Sequence, residues 1–567
     1  MKIIDFSDKS AQLDSVNPDE IHIFTQFFIH KDIERNDEIQ KCLLHNVNNS
    51  LITKIHLLNE RIYTDAELGI VSSKIIQTNI NSLHLPSTRT SYRLRFKDVF
   101  EYIRENAIIG YHVLVNADIF FDETLLNLQR SEIHLKKAMF AQLRYEYNGS
   151  TDLNQSVIFG PRFDSQDTWI FHSNFSIPYH AEKIFNFEFG KPGCDNKFLY
   201  LMKILNYQII NDPKCIKTYH FHRSQTRNYT NRDVIPMPWA VSVPYGFPMN
   251  TIAPSLGIDL KAVSAKTNHF KELQFEDNKK IHDYILSKFS QNQHFILPRI
   301  SGIENNFAVF ARIARGQITI PADIMNYFQN VAPAMKNNAG IKMTTMNSIM
   351  KYSDLYLKAF ENCEMYCGWE PQGNYIGHIS QSHDYMRDAY SGKQIVMSFA
   401  LDVFHYIYNN PWTLALKGKR VLVISAFESS IRERIPYREK IYGIDLFPDC
   451  EITTIKPPQT HASENSREFD IELADFCKRL DQIKDTYDIA LVSCGGYGNL
   501  VCNHIFESGR SAIYVGGTLQ MLFGLLGSRW LKERPDVVRL FLNTHWARPK
   551  VAERPIGYQN IEGGCYF

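Results

Sequence analysis

Residues 111–122 read Tyr-His-Val-Leu-Val-Asn-Ala-Asp-Ile-Phe-Phe-Asp. The run Val113-Leu114-Val115 has the unbroken apolar character of a strand at the centre of a parallel sheet, buried on both faces. Asn116, Ala117 and Asp118 leave that strand at its carboxyl end, where ligands bind in open α/β sheets. A carboxylate that follows a buried strand is costly unless it meets a partner. Hard oxygen ligands suit Mg²⁺ or Mn²⁺, so a divalent ion carrying a diphosphate is the leading candidate. A helix cap is the plainer alternative, but Asp122, before Glu123-Thr124-Leu125, already supplies one.

Outward from this strand, the first 230 residues alternate strand and helix patterns. Strands are expected at Ile21–Ile29, Ile52–Leu58, Ile75–Ile80, Ala138–Tyr147, Thr168–His172 and Gln208–Asn211. Helices are expected at Asp32–Leu44, Phe96–Asn106 and Asp195–Leu205. This alternation predicts a mostly parallel sheet with flanking helices. Prolines crowd Ile235-Pro236-Met237-Pro238-Trp239 and Val243-Pro244-Tyr245-Gly246-Phe247-Pro248. They exclude long regular elements, so residues 231–284 are expected to be a linker. Helical patterns dominate from Phe275 to about Leu416. A second α/β rhythm follows at Arg420–Ile424, Ile489–Ser493 and Ala512–Val515. The chain therefore divides into an α/β domain at 1–230, the linker, and a second, Rossmann-like α/β domain with a helical insertion at 285–567.

Composition narrows the function. A chain of 567 residues is too long for one ordinary core. Lys+Arg at 62 against Asp+Glu at 61 leaves no basic field for nucleic acid. No apolar stretch reaches the ~18 residues that span a bilayer. Met1–Asp14 lacks the apolar segment of a signal peptide. The 10 cysteines show no CxxC spacing and read as reduced thiols of a cytoplasmic protein. Sequons such as Asn174-Phe175-Ser176 then carry no meaning. A peripheral membrane contact stays open.

Several polar groups are expected on the rim of Asp118. Strand one ends at Thr25-Gln26, and strand two at Leu58-Asn59-Glu60-Arg61. Converging polar strand ends describe a nucleotide pocket better than a core, with solvated loops as the alternative. Arg89, Arg93 and Arg95 are placed either to grip a diphosphate bidentately or as surface charge. Downstream, Phe163-Asp164-Ser165-Gln166-Asp167-Thr168-Trp169 offers carboxylates and an amide for sugar hydroxyls and an indole for a sugar's C–H face. The same loop also fits a turn with Asp caps. Asp195 follows the bend Gly190-Lys191-Pro192-Gly193, as a helix cap or as a general base for an acceptor hydroxyl. In Tyr219-His220-Phe221-His222 the histidines sit at alternate strand positions and so share a side. One of them could complete a metal shell with Asp118.

Together these residues resemble a GT-A glycosyltransferase over roughly 18–230. Thr25-Gln26 follows strand one, and Asn116-Ala117-Asp118 stands in the place of the DxD motif. Asp195 stands in that of the catalytic carboxylate, and His220 or His222 in that of the late metal-binding histidine. The likeness is greatest to small GT-A domains of large-virus and microbial multidomain glycosyltransferases. It implies a Mn²⁺ or Mg²⁺ ion bridging the diphosphate of a nucleotide sugar, with Lewis-acid chemistry at the leaving group. A base that deprotonates the acceptor implies inversion at the anomeric carbon. This chain departs from the motif at Asn116, so Asp118 becomes the main acidic ligand.

The second half carries two glycine turns. Cys494-Gly495-Gly496-Tyr497-Gly498 follows a strand, and Gly516-Gly517-Thr518-Leu519-Gln520 follows the next. Strand-to-helix turns of this kind cradle phosphates on backbone N–H groups, or allow helix and sheet to pack closely. The spacing fails the dinucleotide fingerprint. With Phe523-Gly524, Gly527-Ser528-Arg529-Trp530 and the tail Glu562–Phe567, this stretch is similar to modules of microbial capsule and surface-polysaccharide proteins and to GT-D type glycosyltransferases. Their Arg-Phe-Gly-Asp-Gly-Glu motif corresponds here to Arg299-Ile300-Ser301-Gly302-Ile303-Glu304. Glu304 matches and Gly302 replaces the Asp. The resemblance implies donor contacts at Gly495, Gly496, Gly516, Gly517, Gln520 and Arg529, a catalytic Glu304, and linings from Trp369-Glu370-Pro371 and Asn543-Thr544-His545-Trp546.

The expectation is thus a cytoplasmic, two-domain transferase that moves sugars from nucleotide-diphosphate donors to a glycan or glycolipid acceptor. Joining two transferases raises the effective concentration of the shared intermediate. The alternatives are one active N-terminal transferase with a non-catalytic C-terminal glycan-binding module, and a nucleotidyltransferase, which would release pyrophosphate.

Overall fold

The computed structural model describes residues 20–80, 93–131, 133–160, 162–224, 229–230, 233–236, 239–245, 275–315, 322–368 and 376–567. The chain forms two compact units, Met1–Asn268 and His269–Phe567. Arg89 and Trp369-Glu370-Pro371 lie outside the described residues.

The first unit is built on strands β1 (Ile21–Thr25), β2 (Lys54–Asn59), β3 (Ile75–Asn79), β4 (Tyr111–Val115), β6 (Ala138–Gln142), β9 (Thr168–His172) and β10 (Gln208–Ile210). They form one sheet in the order β10-β6-β9-β4-β1-β2-β3. Neighbours run parallel except at β9, which is antiparallel to both β4 and β6. The opening strand is β4, fully buried as its apolar run requires. Helix α1 (Ile33–Asn48) buries Ile39, Cys42, Leu43 and Val47, spaced three and four residues apart. Its N-cap, Asp32, accepts the N–H groups of Glu34 and Arg35. Helix α2 (Phe96–Glu105) precedes β4, and helix α3 (Cys194–Ile204) begins at the Gly193 bend.

A second, four-stranded sheet positions the site. Its order is β5 (Ile119–Phe121), β11 (Thr218–His220), β7 (Tyr145–Glu146), β8 (Val157–Ile158). Here His220 pairs with Ile119 on one side and Glu146 on the other. The N–H of Phe221 donates to the Asp118 carbonyl at 2.9 Å. Residues distant in sequence are thereby clamped around the loop after β4.

Three expected elements differ from those observed. The Ile21–Ile29 strand ends at Thr25 because the Asn59 side chain takes the Phe27 N–H at 2.8 Å. The Ala138–Tyr147 strand splits into β6 and β7, in different sheets, where Leu143 N–H turns to the Asn211 side chain at 3.0 Å. The third is the proline-rich stretch. Ile235, Ala240, Ser242 and Tyr245 donate N–H bonds of 2.8, 2.9, 3.1 and 2.7 Å to the carbonyls of Pro192, Asn196, Phe163 and Asn211. These described residues lie along the first unit as a strap, with no helix or strand among them. Helix α4 (Phe275–Ser290) also starts inside the stretch read as linker.

The second unit has five parallel strands in the order β12 (Ile296–Leu297), β18 (Ser511–Tyr514), β17 (Ile489–Ser493), β15 (Arg420–Ser425), β16 (Glu451–Ile455). Between β12 and β15 lie helices α5 (Gly302–Arg315), α6 (Ala322–Ala339), α7 (Met346–Asn362) and α8 (Ile376–Ala389) and the strand pair β13 (Met365–Gly368) and β14 (Gln394–Met397). This is the helical insertion. Helix α9 (Gly498–Glu507) follows β17. Among the described residues no helix is long and apolar enough to cross a membrane.

Candidate functional site

Asp118, His220 and His222 converge: one potential ligand atom from each lies within 4.8 Å of the others. Asp118 Oδ2 is 3.3 Å from His220 Nε2 and 3.6 Å from His222 Nδ1. Both histidines reach the same side, as their alternate spacing predicts, although β11 ends at His220. His220 Nδ1 lies 2.9 Å from a Glu146 carboxylate oxygen, the outer contact that orients a metal-binding imidazole. His222 Nε2 is buried without a hydrogen-bond partner. Two imidazoles and one carboxylate, each offering one ligand atom, form a donor set that fits a divalent cation.

A cation of the chain's own already faces this carboxylate. Arg35, in the first turn of α1, places one Nη 2.5 Å from Asp118 Oδ2 and the other 2.8 Å from His222 Nδ1 and 2.9 Å from Glu38. Burial alone would raise the Asp118 carboxyl, but His220, His222 and Arg35 outweigh it and hold it well below the usual carboxylate range. Burial likewise opposes charge on His220, yet the facing Asp118 carboxylate prevails and raises it to about 9.

From His220 a polar chain runs to the candidate base. Glu146 pairs with Arg144 at 2.8 Å, and Arg144 with Asp167 at 2.7 Å. Asp167 accepts the Asn116 amide at 3.1 Å. Next along the chain, Gln166 N–H donates to Asp195 at 3.1 Å. Burial, and then the Asp167 charge, raise Asp195 to about 7. That value suits a general base at neutral pH. The bend before Asp195 is covered by Trp239 of the strap, whose ring atoms come within 3.0 Å of where a Gly193 side chain would begin.

Other expected contacts are internal. Trp169 is fully buried, packed against Phe96, Phe189 and Phe198, and is no sugar platform. The residue is second in β9, a strand buried along its whole length, and strand alternation turns its ring into the core. Asn59 is buried between Phe27 and Gln77. Gln26 bridges Glu60 and the Leu94 N–H, so these two rim residues hold each other. Arg93 donates to the carbonyls of Phe189 and Gly190, fixing the loop before Asp195. Asp164 is paired with Arg162 at 2.6 Å. The Gln166 amide donates to Phe163 O. Thr25 sits at the β1 rim with its buried hydroxyl unpartnered.

In the second unit the chain packs closely against the glycine turns, where any larger side chain would clash. A side chain at Gly495 would meet His461 at 2.6 Å, one at Gly516 would meet Arg299 at 2.7 Å, and one at Gly517 would meet Tyr566 at 2.5 Å; Ile341 fills the space over Gly496. These glycines permit close packing. Gln520 donates to the carbonyls of Leu525 and Tyr566, and Arg529 to the Tyr566 hydroxyl and Glu562, so both hold the tail. Asn543 and Trp546 donate to Ile441 O and are structural too. Glu304, at the start of α5, has its carboxyl raised by burial. Arg299, which donates to Val515 O at 2.6 Å, brings a guanidinium to the same carboxyl-end edge of the sheet. Asp402, buried and raised to about 6 by that burial, feels the same Arg299 charge.

Arg35, Glu38, Arg144, Glu146, Asp402 and Trp239 were not singled out by sequence reasoning. One signal existed for Arg35: a cation in the first turn of a helix opposes the helix dipole and calls for an anionic partner.

No family model matches the chain, and no curated protein matches it. Among solved structures, a similar chain is the 2-C-methyl-D-erythritol 4-phosphate cytidylyltransferase of Francisella tularensis, at 12% identity and a TM-score of 0.20, covering 38% of this chain and 95% of that one. The function of this chain is read from its own side chains.

Proposed function

We propose that the first unit is a metal-dependent glycosyltransferase that moves a sugar from a nucleotide-diphosphate donor to a hydroxyl of a glycan or glycolipid, with inversion. The observation that carries this reading is the polar chain joining Asp118, His220 and His222 to Asp195 across the carboxyl ends of the central strands. Asp118, His220 and His222 hold the ion, Mn²⁺ or Mg²⁺. When bound, it supplies Lewis-acid stabilisation of the departing diphosphate. Asp195 takes the proton of the acceptor hydroxyl as that oxygen attacks the anomeric carbon. Asp167, held by Arg144 and Asn116, keeps the Asp195 carboxyl near its working range.

The second unit, in this reading, is a second transferase acting on the same growing glycan, with Glu304 as its catalytic carboxylate beside Arg299. The competing reading, a non-catalytic glycan-binding module, is favoured by the closely packed glycine turns. Glu304→Ala separates them: loss of a second, distinct transfer supports two enzymes, and no kinetic effect supports the module.

The test is incubation of the full chain with a panel of nucleotide sugars, with and without Mn²⁺. Release of a nucleoside diphosphate, abolished by Asp118→Asn, is expected. Release of pyrophosphate would indicate nucleotidyl transfer instead. NMR of the product's anomeric configuration checks inversion, and retention would reject Asp195 as the base.

A further inference from the structure

Arg35 competes for the atoms that a metal needs. The carboxylate oxygen of Asp118 that faces both histidines is Oδ2, and Arg35 holds that oxygen at 2.5 Å. The other Nη of the same guanidinium lies 2.8 Å from His222 Nδ1. An ion sharing Asp118 Oδ2 with the two imidazoles cannot coexist with this fork, because guanidinium and ion would need the same lone pairs and would repel each other. The chain also holds Arg35 from behind. Glu38, one turn on in α1, pairs with it at 2.9 Å and is itself fixed by the Ser224 N–H at 2.8 Å. Arg35 and Glu38 are both shielded from solvent, so the guanidinium can leave Asp118 while keeping an anionic partner in place.

We propose that Arg35 is a resident cation that a divalent metal must displace. In the metal-free protein it shares the Asp118 carboxylate with His220 as a counter-charge. Metal entry breaks the Arg35 contacts to Asp118 and His222, forms metal bonds to both residues and leaves Arg35 on Glu38. The displacement weakens binding of the free ion, and it leaves a guanidinium beside the site in the metal-loaded state. This inference rests on the metal reading of the Asp118 cluster.

The experiment is titration of the full chain with Mn²⁺, followed by the electron paramagnetic resonance signal of the free ion, which needs no substrate. It compares the natural chain with Arg35→Met, Arg35→Lys and the double variant Arg35→Met/Asp118→Asn. Far-ultraviolet circular dichroism confirms that each is folded. Removing the competitor is expected to tighten Mn²⁺ binding about tenfold, the usual scale of a coupling between two sites. Arg35→Lys, a point charge without the fork, is expected to fall between the natural chain and Arg35→Met. The double variant is expected to lose binding. If Arg35→Met binds Mn²⁺ no more tightly than the natural chain, while the double variant loses binding, Arg35 is no competitor and the metal reading survives. If no variant binds Mn²⁺, the metal reading falls and this inference with it.

Discussion

Asp195 and Asp167 share one stretch of the pocket but have different partners. Asp167 is paired with the Arg144 guanidinium at 2.7 Å, whereas Asp195 accepts the backbone N–H of Gln166, the residue before Asp167. One carboxylate is thus neutralised by a cation and the other is left to burial and to its neighbour's charge. This asymmetry is the means by which two acidic side chains are given different work.

The first prediction is a pH profile. With Asp195 raised to about 7, kcat/KM should climb with pH and level off above about 7. Asp167→Asn removes one of the charges that raise it, so the inflection should move to lower pH. Asp195→Asn should lower kcat by about 10²–10⁴-fold, the usual contribution of a general base. The sign for stability is opposite to that for activity. A raised folded-state value gives stability that is present at low pH and lost as pH rises through about 7, so Asp195→Asn should flatten thermal-unfolding curves between about 4 and 7. An unshifted profile in Asp167→Asn would remove Asp167 from this role.

Asp118 should matter for folding as well as for metal. Removing it leaves Arg35 and His220 as buried cations without their shared counter-charge. Breaking such a pair costs about 3–5 kcal/mol. Urea denaturation should therefore show a large loss for Asp118→Ala. Asp118→Ala/Arg35→Met should recover part of that loss, and an additive double variant would contradict the pairing.

Trp169→Ala should destabilise the first unit by about 3–5 kcal/mol, as a large aromatic lost from a packed core. At temperatures where the variant stays folded, donor and acceptor KM should be unchanged. A change in acceptor KM without a loss of stability would restore the residue to the sugar site.

Three strands place histidines in the core behind the site. His22 contacts His56 at 3.0 Å, His56 contacts the Tyr102 hydroxyl at 3.1 Å, and His112 lies against Ile108 O at 3.1 Å. Burial lowers His56 and His112 to about 3. The unfolded chain then binds more protons, so stability should fall as pH drops from about 6.5 to 3. His112→Leu, which cannot charge, should weaken that acid dependence in thermal melts. An unchanged slope would show that His112 is not its source.

The parts of the site that were legible in the sequence are those whose meaning is local. The apolar run before Asp118 makes β4, and the alternate spacing of His220 and His222 puts both rings on one side. Arg35 meets Asp118 across 83 positions, and no local pattern encodes that pairing. Trp169 was misread because polar neighbours surround it, while its burial depends on strand alternation that begins one residue earlier. The glycine turns of the second unit carry the same letters whether they wrap a phosphate or admit a side chain. The close approach of Tyr566 to Gly517 comes from the tail of the chain, and no local pattern encodes it.

The strap residues Ile235, Trp239, Ala240, Ser242 and Tyr245 also set where this chain can be cut. A fragment trimmed at residue 230, the natural stopping point if prolines are taken as a spacer, would strip hydrogen-bond donors from Pro192, Asn196, Phe163 and Asn211. It would also uncover the Gly193 bend next to Asp195. The first unit thus borrows part of the surroundings of Asp195 from what reads as connecting sequence, and a fragment that omits it would understate what the intact unit binds.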